Sequence, residues 1–179
     1  LTGACQELGL RTTVPFDYLF GAACDTRSPS ARNVIRAWLR YGLIWVVWIG
    51  FPCAYHSVAT AGRPQDAQRN IDADLLIDFL VDVLCDCIRF GVLLVLENPR
   101  WSRIWKLPRI RRCLARARAQ RLLYDSCPFG TPYKKPQALS TNVPNLHALE
   151  QYCRCVLPHE HLFGKARVVV DGRPTWLWK

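Results

Sequence analysis

Two uninterrupted apolar runs, Leu43 to Ile49 and Val92 to Leu96, each stop at a tight polar turn. The first is followed by Gly50-Phe51-Pro52-Cys53 and the second by Glu97-Asn98-Pro99. Short runs rich in Val, Ile, Leu and Trp suit strands covered on both faces, as in a parallel sheet. Helical patterns occupy the chain around them. Ser30 to Tyr41 places Val34, Ile35, Trp38 and Leu39 at helical spacing, with Ser28 or Ser30 as the cap and Gly42 as the stop. Asp72 to Phe90 reads as a long helix ended by Gly91, with Asp74, Asp78, Asp82 and Asp86 marking a wet face. This alternation predicts an α/β fold: an open, mostly parallel sheet with helices on both faces.

The remaining segments read as follows. Leu1 to Leu8 is a helix end closed by Gly9, and Arg11 to Phe16 a short β-type run. Arg100 to Gln120 is loop and then helix, and Arg121 to Tyr124 a third short strand. A hairpin is expected near Tyr133 to Thr141 and short strands near Ala166 to Val170. The 179 residues suffice for a single domain, 1–179, with a real core. The chain lacks Met and opens inside a helix-like run, so further sequence upstream is expected, and the C-terminus also reads as cut.

No signal peptide is visible, and the longest apolar run is about half of what a bilayer span needs. A membrane partner is therefore not expected. Nine Cys, an odd number, do not form the framework of a small secreted domain; they suit a reducing, intracellular setting. A formal net charge of +10 invites a polyanionic partner, although a merely soluble basic protein has the same composition.

In open α/β sheets, ligands bind beyond the carboxyl ends of the strands. Three such ends carry Asp17, Cys53 and Glu97. Asp17 suits the hydroxyls of a nucleoside ribose or a simple strand-end turn. Cys53, with His56 three residues on, suits a nucleophile with a base nearby, or a packed thiol. Glu97 directly follows an apolar strand, where a carboxylate is costly without a purpose or a partner such as Arg100.

Arg100 to Arg121 holds nine Arg or Lys and no acidic residue, with Trp101 and Trp105 interleaved. Arg100, Arg103, Lys106, Arg109, Arg111 and Arg112 are candidate contacts to backbone phosphates; the alternative is a solvated helix face. Cys153-x-Cys155 followed by His159-x-His161 offers four soft ligands for zinc, and Cys127 can join them. The spacing matches no common finger and equally suits ordinary loop residues.

Gly50-Phe51-Pro52-Cys53 followed by Ser57 resembles the Pro-Cys nucleophile loop of the cytosine-5 DNA methyltransferases, and Glu97-Asn98 resembles their Glu-Asn turn. The segments Glu97 to Trp105 and Cys127 to Pro136 are similar to a divergent methyltransferase-like group found in some protist and mobile-element sequences. The resemblance runs over most of the chain. It implies a Rossmann-like, S-adenosylmethionine-dependent methyltransferase fold. It also implies S-adenosylmethionine as cofactor near Asp17, Asp25 and Pro52, and nucleic acid, DNA in particular, as partner. Cys53 would add to the six-position of cytosine, Glu97 would hold the ring nitrogen and exocyclic amine, and Lys135 with Lys134, standing where the family has an Arg-x-Arg pair, would support the intermediate. A base inside a duplex must be flipped out to reach such a pocket. The location implied is intracellular, the nucleus if the source is eukaryotic. The Gly-rich loop that holds the cofactor's amino-acid end would precede Leu1, and Ala54 replaces the usual Gln. A nucleic-acid-binding module of a mobile-element protein that has lost catalysis is the alternative.

Overall fold

A computed structural model describes residues 2–52, 67–156, 158–160, 165–170 and 173–178. Among these residues, four α-helices and six strands follow one another in the order α1 (Thr2–Glu7), α2 (Pro29–Arg40), β1 (Val46–Gly50), α3 (Ala67–Phe90), β2 (Leu93–Pro99), α4 (Pro108–Arg116), β3 (Gln120–Asp125), β4 (Pro136–Thr141), β5 (Lys165–Val170) and β6 (Arg173–Trp178). Helix ends follow the sequence signals. Pro29 opens α2 in its first turn, where its fixed φ and missing donor cost nothing. Gly42 and Gly91, with φ of 67° and 69°, close α2 and α3 in the left-handed conformation that glycine adopts freely.

The main sheet has the order β1-β2-β4-β3, and β5 and β6 form a separate antiparallel pair. β1 and β2 are parallel, with Gly50 opposite Glu97. β4 is antiparallel to both β2 and β3. The expectation of a mostly parallel sheet is therefore corrected: one neighbouring pair of the main sheet is parallel and two are antiparallel. The reason is local. Residues 126–135 contain a short 3-10 turn, Cys127–Phe129, instead of a crossover helix, and without such a helix the chain returns antiparallel.

Helices α2, α3 and α4 lie on one face of the main sheet. Ile35 and Leu39 of α2, Leu76, Leu80, Val83, Leu84 and Cys87 of α3, and Ile110 and Leu114 of α4 pack with Leu94, Leu96 and Ala138 into one buried core. The opposite face holds a smaller cluster of Val95, Leu122 and Leu139 beneath Val143, Leu146 and Leu149. On that face the outer strand β1 leaves Val46 and Trp48 exposed at 44% and 37%. Among the described residues, the face opposite α2, α3 and α4 carries the short 3-10 helix Leu146–Leu149.

Two further expectations change. Arg11 to Phe16 forms no strand. β1 starts at Val46 because Leu43 still donates its N–H back to Trp38 at the end of α2. The acidic row of α3 is also less wet than its period suggests. Asp86 is buried and accepts from Arg36 Nε of α2 at 2.7 Å, while Asp78 accepts from Arg109 of α4. These Asp residues tie the three helices together. Among the described residues no helix is long and apolar enough to cross a membrane.

Candidate functional site

Because β4 is reversed between β2 and β3, strands β1, β2 and β3 all run the same way. Their carboxyl ends, at Gly50, Pro99 and Asp125, therefore share one edge of the sheet with the start of β4 at Pro136. The two turns singled out in the sequence meet there. Phe51 donates its N–H to the Glu97 carbonyl at 3.3 Å, and its own carbonyl accepts from Asn98 Nδ2 at 2.7 Å. Asn98 is 2% exposed, and its amide holds both turns in register. Pro52 follows directly and is exposed. Cys53 and His56 lie outside the described residues.

The Glu97 carboxylate sits half-buried on the sheet face away from the helices. Its Oε1 accepts from Gln137 Nε2 at 3.1 Å and from the Tyr124 hydroxyl at 3.3 Å, and its Oε2 from Trp48 Nε1 at 3.3 Å. Register explains this shell: Trp48, Glu97, Gln137 and Tyr124 alternate onto the same face of four neighbouring strands. Burial, followed by the negative charge of Glu97, pushes the Tyr124 hydroxyl well above its usual range. Tyr124 therefore stays a donor at neutral pH. Its ring packs edge-on against Phe129, centroids 5.6 Å apart.

Beside this lies an Arg-aromatic cluster. Arg100 stacks near Trp101 and Tyr152, 5.8 and 5.7 Å from the ring centroids, and approaches the buried Asp125 at 3.9 Å. Arg121 lies over Trp105 at 4.8 Å and donates to the Arg100 carbonyl at 2.8 Å. Desolvation, then the neighbouring Arg100, lowers the Arg121 pKa. Several buried polar atoms at this edge have no hydrogen-bond partner among the described residues: Asn98 Oδ1, Gln137 Oε1, Asp125 Oδ1, and Arg100 Nε and Nη2. Buried polar groups are normally paired; of these atoms, Arg100 Nη2 and Asp125 Oδ1 face each other at 3.9 Å.

The other candidate phosphate contacts are spread along the surface. Arg103, Lys106, Arg111 and Arg112 are exposed, whereas Arg109 is engaged by Asp78. Lys134 is exposed and near enough to Cys153 to lower its pKa. The Lys135 carbonyl accepts from the N–H and hydroxyl of Ser126, which closes the connection between β3 and β4.

A second site lies on the outer flank of β3. The ligand atoms of Cys127, Cys153, Cys155 and His159 all fall within 4.8 Å of one another, with Cys153 Sγ 3.4 Å from His159 Nε2. Cys127 begins the 3-10 turn after β3, and Gly130, with φ 87°, ends it. Cys153 is positioned by its N–H, which donates to Asp125 Oδ2 at 2.9 Å. Burial and the hydrogen bonds it donates to the sulfurs of Cys153 and Cys155 push the Cys127 thiol up to about 12. Cys153 is shifted downward, led by the backbone N–H of Cys155. The sequence pattern named three of these four ligands directly; Cys127 joins them because β3 ends beside the later segment. His161 lies outside the described residues.

The expected cofactor residues come together less well. Asp25 gives both carboxylate oxygens to Arg27, at 2.8 to 3.1 Å, and the guanidinium holds its pKa below the usual range. Asp17 accepts the Leu19 N–H at 3.0 Å in an exposed turn. Both acids hold local turns, and Asp25 is engaged by Arg27 besides. The shell of Glu97 went unread in the sequence: Trp48, Tyr124 and Gln137 come from three strands, and no spacing along the chain relates them. Comparison with protein-family models, with curated proteins and with solved structures finds no match.

Proposed function

We propose that this chain is a cytosine-5 methyltransferase-like domain of Rossmann-like type that takes an extruded cytosine between the Gly50–Cys53 and Glu97–Pro99 turns. The observation that carries the reading is the double grip on Phe51 by Glu97 and Asn98. It fixes the chain two residues before Cys53 against the strand end that bears the Glu97 carboxylate. In this reading the Cys53 thiolate adds to C6 of the base, forming an S–C bond. The C5–C6 π electrons shift toward C5 and the ring nitrogen. Glu97 hydrogen-bonds the ring nitrogen and the exocyclic amine, and the proton that the ring nitrogen takes up comes from solvent through that carboxyl group. Trp48, Gln137 and Tyr124 orient the carboxyl group. The Arg and Lys residues from Arg100 to Arg112, with Lys134, receive the DNA backbone, and Lys135 supports the intermediate.

Asp25 is engaged by Arg27 and Asp17 by its own turn, so the proposed step that these residues support is the covalent adduct. The same pairing of Asp25 with Arg27 favours a second reading, a nucleic-acid-binding module without methyl transfer. Either partner implies an intracellular location, nuclear in a eukaryote.

Duplex DNA carrying a pyrimidin-2-one in place of one cytosine tests the reading, since thiolate addition to that ring needs no methyl donor. A denaturant-resistant adduct is expected with the wild-type chain, none with Cys53→Ala, and much less with Glu97→Gln. Salt-sensitive binding that yields no adduct and survives Cys53→Ala would leave only the second reading. Labelled S-adenosylmethionine in the same reaction reports whether a methyl group is transferred.

A further inference from the structure

We propose that Cys127, Cys153, Cys155 and His159 form a closed structural zinc site that pins the segment from Gln151 to Glu160 onto the turn after β3. The assignment is independent of the base site at Glu97. Zinc takes four S or N ligands tetrahedrally at about 2.3 Å for sulfur and about 2.0–2.1 Å for nitrogen, which separates ligand atoms by about 3.5–3.8 Å. The observed 3.4 Å between Cys153 Sγ and His159 Nε2, within a set spanning at most 4.8 Å, needs only small side-chain adjustment to reach that figure. Three thiols and one imidazole are a soft donor set that selects zinc over the hard cations.

The surroundings fit a structural role. Four protein ligands leave no open position for water or substrate, unlike a catalytic zinc. From Gln151 to Glu160 the described residues form no helix or strand. The segment is held by a few separate contacts instead: Asp125 N–H to the Gln151 carbonyl at 2.8 Å, Cys153 N–H to Asp125 Oδ2 at 2.9 Å, and Glu160 N–H to the Pro132 carbonyl at 3.0 Å. A polar segment with so little apolar burial gains most from a metal clip. Asp125 also supplies an outer-shell contact, since it orients the backbone of one ligand from the strand that leads to another. The three sulfurs belong to two stretches far apart in sequence, so one ion would close a long loop around β4.

Elemental analysis of the purified full chain, expressed with zinc and passed over a desalting column, is expected to give one zinc per chain. Cobalt replacing it should show a thiolate-to-cobalt charge-transfer band of three-thiolate intensity and the visible bands of tetrahedral coordination. Cys127→Ser and His159→Ala should each lose the metal, while His161→Ala keeps it. If the variants fail to fold, the wild-type cobalt spectrum still decides. Absence of metal, a spectrum of fewer than three thiolates, or a disulfide among the three cysteines in freshly purified protein overturns the assignment. So does retention of zinc by folded His159→Ala with its loss from His161→Ala. Zinc binding without a DNA adduct overturns the base-site reading alone, and an adduct without zinc overturns this one alone.

Discussion

Asn98 does two jobs that the sequence assigns to one turn. Its backbone continues β2, and its side chain reaches across to the Phe51 carbonyl in a fully buried site. Removing the amide takes a donor from that carbonyl, and a hydrogen bond of this kind contributes about 0.5–1.5 kcal/mol net. Asn98→Ala should lower the urea midpoint accordingly with an unchanged denaturant slope. Tyr124 gives a pH signature. Its folded pKa lies above the unfolded value of about 10. The folded chain therefore holds the proton more tightly, and this stabilisation is complete below pH ~10 and lost as the pH rises above it. Urea midpoints of the wild type and Tyr124→Phe should differ by a constant amount up to about pH 9 and converge above pH ~10; a constant difference throughout would rule out this linkage.

At the scale of elements, the three helices are joined by Asp-Arg pairs of unequal worth. Asp86 is buried against Arg36, so Arg36→Ala leaves a carboxylate without its close donor. Hydrogen bonds to charged groups contribute about 1.5–3 kcal/mol, and the half-open Arg36 side chain places this one near the low end. Asp78 and Arg109 are both solvent-exposed, and Arg109→Ala should leave the melting temperature unchanged. A larger thermal loss from Arg109→Ala than from Arg36→Ala would contradict this ranking. Much of this scale was legible beforehand. Gly42 and Gly91 mark helix ends by backbone conformation alone, so α2 and α3 stop where the sequence places their ends, whereas α3 starts at Ala67, five residues before the expected Asp72. β1 was legible as a strand, yet its burial was not. An apolar run such as Leu43 to Ile49 does not tell whether a second layer covers it, and here Trp48 turns its ring edge toward Glu97 instead. The direction of β4 was equally hidden, since it depends on the absence of a helix between Ser126 and Lys135. Of the candidate site, Glu97 and Asn98 were readable because they interrupt an apolar strand, whereas Gln137 and Tyr124 reach Glu97 only through cross-strand register.

For the whole molecule, a net charge of +10 and an exposed run of Arg and Lys make any association with DNA dependent on ionic strength. Each phosphate contact contributes about 0.9 to the slope of log affinity against log salt. Exchanging Arg111 and Arg112 together for Ala should flatten that slope by about 2. Arg109→Ala should change it less, because Asp78 already neutralises that guanidinium. Equal slopes for the double variant and the wild type would place the contact elsewhere.

The reversed strand β4 has a consequence for how the chain is made. β2 and β3 never touch through backbone hydrogen bonds; each pairs with β4, which is synthesised after both. At about 5–20 residues per second, a nascent chain presents β2 without its second neighbour for seconds before Pro136 to Thr141 emerges. Leu94, Leu96 and Leu122, all buried at the end, are meanwhile available to chaperones and to wrong partners. The edge that carries Glu97 is therefore completed late in synthesis, and a ribosome that stalls before Pro136 releases a chain with helices but no site, fit chiefly for proteolysis.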